Sequence, residues 1–490
     1  MYFLGYDLGS SSVKACLLDG ESGKVAARAS HPQDEMPIEA PRPGWAEQRP
    51  ESWWDCVKQV TTGLLARSTA APRDIRAVGI SYQMHGLVIV DRDGRCLRPA
   101  IIWCDGRAVD IGERAFRILG RDRCLEHLLN SPGNFTASKL RWVKEQEPAI
   151  FESIGKVLLP GDYLGWKLTG RFATTMPGLS EGTLWDFREN CPARFLLDHF
   201  EIPGELLPDV VPTLGEQGRL TKEAAAHLGL AAGTPVTFRA GDQPTNALAL
   251  NVFEPGEVAA NAGTSGVVYG ITDSLQADTL SRVNSFAHVN HERDRIRLGV
   301  LLCINGAGSA YRWLRKLYSE PGYEMMNAEA TEAFSDVRFY PFGNGPERML
   351  ENRGPGARFE GIDFNTHDRA HLTRAVLEGV AFSFRYGMRV LGGMGLEATV
   401  VRASLANMLK SGVFRETLAN VTGVTIELYD TDGAEGAARG AAIGSRHYAS
   451  FAEALGPLER KGMVEPSSSS PEKLEEAYAR WEQGLGLSPS

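Results

Sequence analysis

The chain has 490 residues and a formal net charge of −9, from 52 basic and 61 acidic side chains. This length exceeds what one ordinary hydrophobic core serves, so two or more domains are expected. The acidic balance argues against a nucleic-acid-binding protein, which usually carries a basic face. No apolar run is long enough to span a bilayer, and the N-terminus lacks the basic and apolar regions of a secretory signal.

The seven cysteines are scattered along the chain and form no Cys-x-x-Cys pair. This spacing excludes a zinc knuckle or a thioredoxin-like motif and favours a reducing compartment. We therefore expect a cytoplasmic protein with neither a nucleic-acid nor a membrane partner. Dimers are common among enzymes of this size, so a homodimer is one candidate assembly.

The first half of the chain opens with a predicted hairpin. Tyr2 to Leu8 and Val13 to Leu18 are apolar runs, and the turn between them, Gly9 to Ser12, is small and polar. Asp93-Gly94 marks a later turn. Further helices are predicted from Pro50 to Leu65, Ser138 to Glu145 and Gly161 to Leu168, and further strands from Ala77 to Ser81 and Leu87 to Val90.

The second half repeats this pattern. A second small tip, Gly263 to Gly266, joins the apolar runs Gly256 to Ala262 and Val267 to Ile271. The similarity of the two tips suggests two related α/β domains with a boundary near Asn246. Further strands are predicted from Val236 to Ala240 and from Ile296 to Ile304. Helices are predicted after Pro244, from Ser309 to Leu317, and over the four-residue spacing of Leu372, Val376, Val380, Phe384 and Met388. A last helix, Pro471 to Gly484, follows a linker of four serines, Ser467 to Ser470.

Both tips could bind phosphate, because small residues let the backbone approach and hydroxyls and N–H groups donate hydrogen bonds. Lys14 follows the first tip and could face phosphate or solvent. Asp7 precedes it and could hold Mg²⁺ through water. Ordinary Gly-Ser turns are the alternative interpretation.

Asp242 ends a predicted strand, where α/β folds place catalytic groups. Its carboxylate could accept the proton of an attacking hydroxyl, or it could cap the following helix. Gln83, Met84 and His85 interrupt two strands and could contact a sugar, or they could simply be packed in the core. Trp103, Asp105 and Arg107 offer an apolar surface, a hydroxyl acceptor and a donor, unless they form a solvated turn.

The chain lacks the sequence motifs of several enzyme classes. The chain contains no G-x-x-x-x-G-K-[ST] loop and no G-x-G-x-x-G after a strand, so P-loop and Rossmann nucleotide sites have no support. It also contains no His-Glu-x-x-His and no G-x-S-x-G, which removes large groups of hydrolases.

The chain resembles the FGGY family of carbohydrate kinases over roughly residues 2–443. The C-terminal segment from Ala357 to Glu378 matches one family signature. The other signature lies near Thr136 to Trp142 and matches except at Asn134, where the family expects a different residue type. The remaining segments that carry the resemblance are Asp7 to Lys14, Asn261 to Gly266, Gly241-Asp242 and the Gln83-Met84-His85-Gly86 run.

The resemblance implies two actin-like, ribonuclease-H-like ATPase domains, residues 1–246 and 247–490, with a catalytic cleft between them. ATP would lie on the C-terminal domain and the sugar, a xylulose-type ketopentose, on the N-terminal domain. Asp242 would be the general base and Asp7 the Mg²⁺ ligand. The implied sugar contacts are Gln83, Met84, His85, Trp103, Asp105 and Gln243, and the implied nucleotide contacts are Ser10, Ser11, Ser12, Lys14, Gly263, Thr264, Ser265, Gly306, Ala406 and Asn407.

Three positions depart from the family pattern. Gln243 and Cys104 stand where xylulose kinases usually have asparagine, which bears on the identity of the sugar. Ala403 to Asn407 replaces a glycine-rich run near the adenine. Sedoheptulose, ribulose and L-xylulose are therefore alternative acceptors. A non-catalytic sugar or nucleotide sensor, and an actin-like ATPase acting on protein partners, are the alternatives from other classes.

Overall fold

The computed structural model of the protein describes residues 1–333, 336–467 and 471–486. Two large β-sheets organise these residues, one in each half of the chain. The strands of the N-terminal sheet, in spatial order, are Leu214–Arg219, Pro235–Gly241, Ile75–Tyr82, Tyr2–Leu8, Val13–Asp19 and Val25–His31. Those of the C-terminal sheet are Asn284–Ala287, Leu298–Ile304, Gly266–Thr272, Glu257–Ala262, Val400–Ser404, Ile426–Tyr429 and Arg460–Val464.

Five strands follow one plan in both sheets. An antiparallel hairpin gains a third antiparallel strand on one side and two parallel strands on the other. Parallel neighbours need crossover connections, which contain helices here. The hairpin of Tyr2–Leu8 and Val13–Asp19 thus corresponds to that of Glu257–Ala262 and Gly266–Thr272. The two related α/β domains predicted from the polar tips are confirmed.

The predicted helices and strands form, with ends that shift by one or two residues where ends were predicted. The helices are Pro50–Ala66, Val109–Leu119, Arg121–His127, Thr136–Gln146, Pro148–Glu152, Pro160–Thr169, Met176–Glu181, Arg194–Phe200, Lys222–Leu228, Asp242–Ala249, Ala307–Leu317, Tyr323–Glu332, Arg369–Gly392, Gly412–Thr422, Gly433–Gly444, Phe451–Leu455 and Pro471–Gly484. Short strands pair as Glu47–Gln48 with Ala100–Ile101, Val88–Val90 with Lys156–Leu158, Ala173–Thr175 with Asp209–Val211, Trp185–Asp186 with Cys191–Pro192, and Arg338–Phe342 with Gly356–Glu360. Within the described ranges, no helix has the length and apolar character needed to cross a membrane. Of the predicted serine linker, Ser468 to Ser470 lie outside the described residues.

The Gly433–Gly444 helix leaves the C-terminal sheet and packs on the N-terminal one. It approaches so closely that a Cβ on Gly5 would lie 2.0 Å from the Ala434 carbonyl oxygen, and one on Gly79 would lie 2.0 Å from the Ala437 carbonyl oxygen. Small residues on both sides permit this contact. The helix therefore packs a late segment of the chain against the first strands of the N-terminal sheet.

The Asp242–Ala249 helix lies at the junction of the two halves and contacts strands of both sheets. It also packs against the Gly433–Gly444 helix, where a Cβ on Gly436 would lie 2.5 Å from the Thr245 carbonyl oxygen. The domain boundary near Asn246 falls inside this helix and stays a prediction. Each sheet has a large hydrophobic core of its own, and smaller clusters at the junction combine residues of both halves.

Candidate active site

Asp7 lies near the end of the Tyr2–Leu8 strand and pairs across the hairpin with Lys14. The Ser81 hydroxyl donates a hydrogen bond of 2.7 Å to Asp7 Oδ1. Burial raises the pKa of Asp7, while Lys14 and Ser81 oppose that rise and Asp432 adds to it. The first tip therefore presents a fixed carboxylate beside a lysine, as a site for a cation and phosphate requires.

The start of the Gly433–Gly444 helix lies against this carboxylate. A Cβ on Gly433 would come within 2.8 Å of Asp7 Cγ, so glycine permits the approach. Asp432 caps the helix by accepting a 3.0 Å hydrogen bond from the Glu435 N–H. This contact was not predicted from the sequence, in which the small-residue run after Asp432 was the available signal. Asp7 and Asp432 together offer hard oxygen donors, which fit Mg²⁺.

Asp242 begins the Asp242–Ala249 helix directly after a strand of the N-terminal sheet, and it is partly buried. Gly241 occupies the N-cap position, so the alternative capping role for Asp242 is not what the structure shows. Burial, and then the negative charge of Asp7, raise the pKa of Asp242 from 3.8 to about 7. A carboxylate with this pKa can accept a proton near neutral pH.

A pocket of about 240 Å³ lies between the two sheets, beside Asp7 and Gln243. Its wall combines Asp7 and Lys14 of the first hairpin, the start of the Asp242–Ala249 helix, and the 404–407 turn of the C-terminal half. Five predicted site residues line it together: Asp7, Lys14, Gln243, Ala406 and Asn407. The inter-domain cleft expected from the sequence is therefore present, and residues distant in sequence meet in it.

The second tip, Gly263 to Ser265, lies beside the helix that starts after Gly306. Gly308 N–H donates to the Gly263 carbonyl at 2.9 Å, and Ser309 N–H to the Thr264 carbonyl at 3.0 Å. A Cβ on Gly306 would lie 1.4 Å from the Pro341 carbonyl oxygen, so only glycine fits there. The 404–407 turn reaches the same place, because Asn407 Nδ2 lies 3.5 Å from the Cβ position of Gly263.

The first tip also contacts the predicted sugar side. Gly9 N–H donates to the Ser12 carbonyl at 3.0 Å, and Met36 N–H donates to the Ser11 carbonyl at 2.7 Å. Trp103, a residue that is 52% exposed, donates its indole N–H to Ser10 Oγ at 3.5 Å. Trp103 therefore stands where the phosphate tip and the sugar side meet.

The Gln83–His85 segment forms the inner wall of the N-terminal domain. Gln83 and Met84 are buried, and within the described part of the chain no hydrogen-bond partner reaches Gln83 Oε1. His85 has a positive φ of 61°, and its Nδ1 lies 2.9 Å from the Glu181 carbonyl oxygen. A carbonyl only accepts, so Nδ1 carries the proton and Nε2 is left as an acceptor. Burial, followed by Lys139, lowers the pKa of His85 to about 3, so the ring is neutral.

Asp105 is fully buried, contrary to the expectation of a carboxylate open to a sugar. Its Oδ2 accepts from the Ala46 N–H at 2.6 Å and from Arg107 Nη2 at 2.7 Å, and Arg107 also pairs with Glu47. Arg107 is equally enclosed and stacks on the Trp45 ring at 3.8 Å. Both side chains therefore hold the loop after Trp103 from beneath.

Glu181 is a further carboxyl group behind Asp242 that the sequence analysis missed. A Cβ on Gly241 would lie 2.4 Å from Glu181 Oε2, and His85 N–H donates to Glu181 Oε1 at 3.4 Å. Burial, and then the charge of Asp242, hold the pKa of Glu181 well above its ordinary value. Glu181 therefore supports the wall behind Asp242, and no motif in its helix Met176–Glu181 indicates this.

Two ribonuclease-H-like domains that enclose a cleft with polar hairpin tips and carboxylates define the class of actin-like ATPase folds. The family models agree. The N-terminal domain model of the FGGY family of carbohydrate kinases matches residues 2–249, and the C-terminal domain model matches residues 258–445.

Individual relatives support the same assignment. The xylulose kinase of Escherichia coli (strain K12) is 32% identical over 444 residues, which cover 90% of this chain and 88% of that protein. The L-xylulose/3-keto-L-gulonate kinase of the same strain is 30% identical over 499 residues, covering 98% and 96%. The crystal structure of a xyloylose kinase from Brucella ovis has a TM-score of 0.88 at 30% identity, covering 99% of both chains. The chain belongs to the FGGY family of carbohydrate kinases and is an ATP-dependent sugar kinase.

Proposed function

We propose that this kinase transfers the γ-phosphoryl group of Mg·ATP to a ketopentose, with D-xylulose as the acceptor and D-xylulose 5-phosphate as the product. The observation that carries the proposal is Asp242, a partly buried carboxylate with a pKa raised to about 7. Its neighbours in sequence reach both sides of the site, because Gln243 lines the pocket that contains Lys14 and a Cβ on Gly241 would lie 2.5 Å from Met84 Cγ. Relatives named as xylulose kinases support the choice of sugar.

In the proposed reaction, Asp242 accepts the proton of the attacking sugar hydroxyl. The hydroxyl oxygen forms a bond to the γ-phosphorus as the bond from phosphorus to the ADP oxygen breaks. Phosphoryl transfer depends mainly on alignment and charge neutralisation. The hydroxyls and N–H groups of the two tips, Ser10 to Ser12 and Gly263 to Ser265, would align the β- and γ-phosphates. Lys14 would add a positive charge.

Asp7, with Asp432 beside it, would hold Mg²⁺, since Mg²⁺ binds one or two carboxylates and keeps several waters. When bound, the ion neutralises charge on the phosphates. The protein holds Asp7 ready through the Ser81 hydroxyl, which donates to Oδ1 at 2.7 Å.

The sugar would lie on the N-terminal domain. His85 Nε2 and Gln83 Oε1 are acceptors for sugar hydroxyls, Met84 and Trp103 supply apolar surface, and Gln243 lies beside the base. Asp105 would act through the loop that it supports. Because Gln243 and Cys104 replace the usual asparagines, L-xylulose, ribulose and sedoheptulose are the alternative acceptors. One relative is named as an L-xylulose/3-keto-L-gulonate kinase, so L-xylulose is the first alternative to test. The cytoplasmic location and the homodimer stay predictions from the sequence.

The Asp242→Ala variant tests the proposed base. We expect turnover to fall by about a hundredfold to ten-thousandfold, because general-base catalysis contributes on that order. Binding of Mg·ADP, measured by calorimetry, should be retained, and Asp198→Ala on an exposed helix is the matched control. Turnover near the wild-type value in Asp242→Ala would refute the assignment.

A further inference from the structure

Lys139 is a completely buried lysine on the Thr136–Gln146 helix. Its Nζ donates hydrogen bonds of 2.9 Å to the carbonyl oxygens of His85 and Ile102. Among residues 1–333, 336–467 and 471–486, no carboxylate forms an ion pair with it. A buried ammonium group is unfavourable unless it is hydrogen-bonded, so these two carbonyls are its principal compensation.

The carbonyls belong to the two loops that form the sugar side, residues 83–86 and residues 102–105. Burial lowers the pKa of Lys139 to about 7, and Asp105 opposes that change. A neutral amine still carries two N–H donors, so both hydrogen bonds can persist in either protonation state. Lys139 can therefore join the two loops in either protonation state.

Neighbouring residues make similar contacts. Thr136 Oγ1 donates to the Gly86 carbonyl at 3.2 Å, and Asn134 Nδ2 donates to the Asp105 carbonyl. Side chains between residues 134 and 139 thus make four hydrogen bonds to backbone carbonyls of the two loops. We name this segment the 134–139 brace.

The backbone of the first loop requires such support. His85 has a φ of 61°, a left-handed conformation that a residue with a Cβ adopts unfavourably. Lys139 donates a hydrogen bond to the His85 carbonyl. On the other side, the Glu181 carboxyl group accepts from the His85 N–H, and the Glu181 backbone carbonyl accepts from the ring Nδ1. Without Lys139, the peptide after His85 would lose its buried hydrogen-bond donor, and the loop could relax to other conformations.

We propose that the 134–139 brace, with Lys139 as its central member, positions the sugar site: it fixes the 83–86 loop relative to the 102–105 loop without touching the reacting atoms. This inference rests on the proposed function, since it takes those two loops as the sugar-binding wall. It predicts a defect in sugar binding that leaves the nucleotide side intact.

The test compares Lys139→Met with Lys144→Met. Lys144 lies on the same helix and also donates to a backbone carbonyl, that of Glu201 at 2.6 Å, which belongs to neither sugar loop. For Lys139→Met we expect the KM for D-xylulose to rise by about tenfold or more, since lost positioning hydrogen bonds are worth about that factor. The Kd for Mg·ADP should not change. Hydrogen–deuterium exchange should accelerate in both loops, and Lys144→Met should match the wild type in all three measurements.

A Lys139→Met enzyme with wild-type KM and wild-type loop exchange would overturn the proposal, as would exchange that rises throughout both domains with weakened Mg·ADP binding. If this variant does not fold, Thr136→Val removes only the bond to Gly86 and should raise the same KM by about threefold; an unchanged KM there overturns the proposal. The exchange measurement does not depend on the acceptor. A wild-type enzyme that phosphorylates no ketopentose would therefore refute the proposed function separately from the loop result.

Discussion

Replacing Asp242 with asparagine should separate activity from stability, because the carboxylate is ionised at a site that disfavours its charge. Burial and Asp7 raise the pKa of Asp242 from 3.8 to about 7 in the folded state. The folded protein therefore binds this proton more tightly than the unfolded chain does. Ionised Asp242 destabilises the fold above pH 7, and the effect disappears below about pH 4, where both states are protonated.

A pKa shift from 3.8 to about 7 corresponds to at most about 4 kcal/mol of unfolding free energy. The asparagine side chain would be neutral at every pH, so Asp242→Asn should be the more stable protein at pH 8. We expect a gain of about 2 to 4 kcal/mol, since the amide oxygen keeps part of the hydrogen bonding that the carboxylate receives from Gln243. Turnover should meanwhile fall at least about a hundredfold.

The assay is thermal unfolding of both proteins without nucleotide or Mg²⁺, at pH 8 and at pH 5.5. The advantage of Asp242→Asn should shrink at pH 5.5, because the folded-state carboxyl group is then protonated while the unfolded-state group remains ionised. Asp198→Asn, on the exposed surface of a helix, should show no such difference. A variant less stable than wild type at pH 8, or equally stabilised at both pH values, would refute the reasoning.

Three further results are expected. The kcat/KM for the sugar should fall about tenfold per pH unit below the Asp242 pKa of about 7, and a profile that stays flat down to pH 5 would contradict the assigned base. Gly5→Ala should destabilise the fold by about 3 kcal/mol, because its Cβ would lie 2.0 Å from the Ala434 carbonyl oxygen. The control Gly63→Ala, whose Cβ would have nothing within 4 Å, should stabilise its helix by about 0.5 to 1 kcal/mol. Unfolding curves measure both changes, and equal stabilities of the two variants would contradict the close packing at Gly5. Lys14→Ala should raise the KM for Mg·ATP about tenfold and leave the melting temperature unchanged, because Lys14 is exposed and lines the pocket; an unchanged KM would remove Lys14 from the nucleotide site.

The hairpins and their tips could be predicted from the sequence, because apolar runs interrupted by Gly9 to Ser12 or Gly263 to Gly266 are local signals. The similarity of the tips predicts two related domains, but it does not predict the strand order of either sheet. The placement of Asp7 against Gly433 could not be predicted in the same way. That contact joins residues at opposite ends of the chain, and it depends on how closely a glycine-rich helix packs on a sheet.

Burial accounts for the remaining differences at the site. The sequence shows Asp105 two residues after Trp103. It does not show that the Asp105 carboxylate accepts hydrogen bonds from the Ala46 N–H and from Arg107. Glu181 likewise carries no motif, and its relation to Asp242 arises only when the Met176–Glu181 helix packs behind Gly241. Side chains that act from beneath a loop are therefore those that sequence patterns reveal least.

The central claim is tested most directly by measuring ADP release from Mg·ATP with D-xylulose, L-xylulose, D-ribulose, sedoheptulose, glycerol and gluconate as separate acceptors. We predict saturation by D-xylulose with a kcat/KM well above that for every other acceptor, which would show that Gln243 and Cys104 are compatible with this sugar. Saturation by a different acceptor would contradict the D-xylulose assignment and attribute the change in specificity to those two residues. Absence of ADP release with every acceptor would contradict the proposed ketopentose kinase activity.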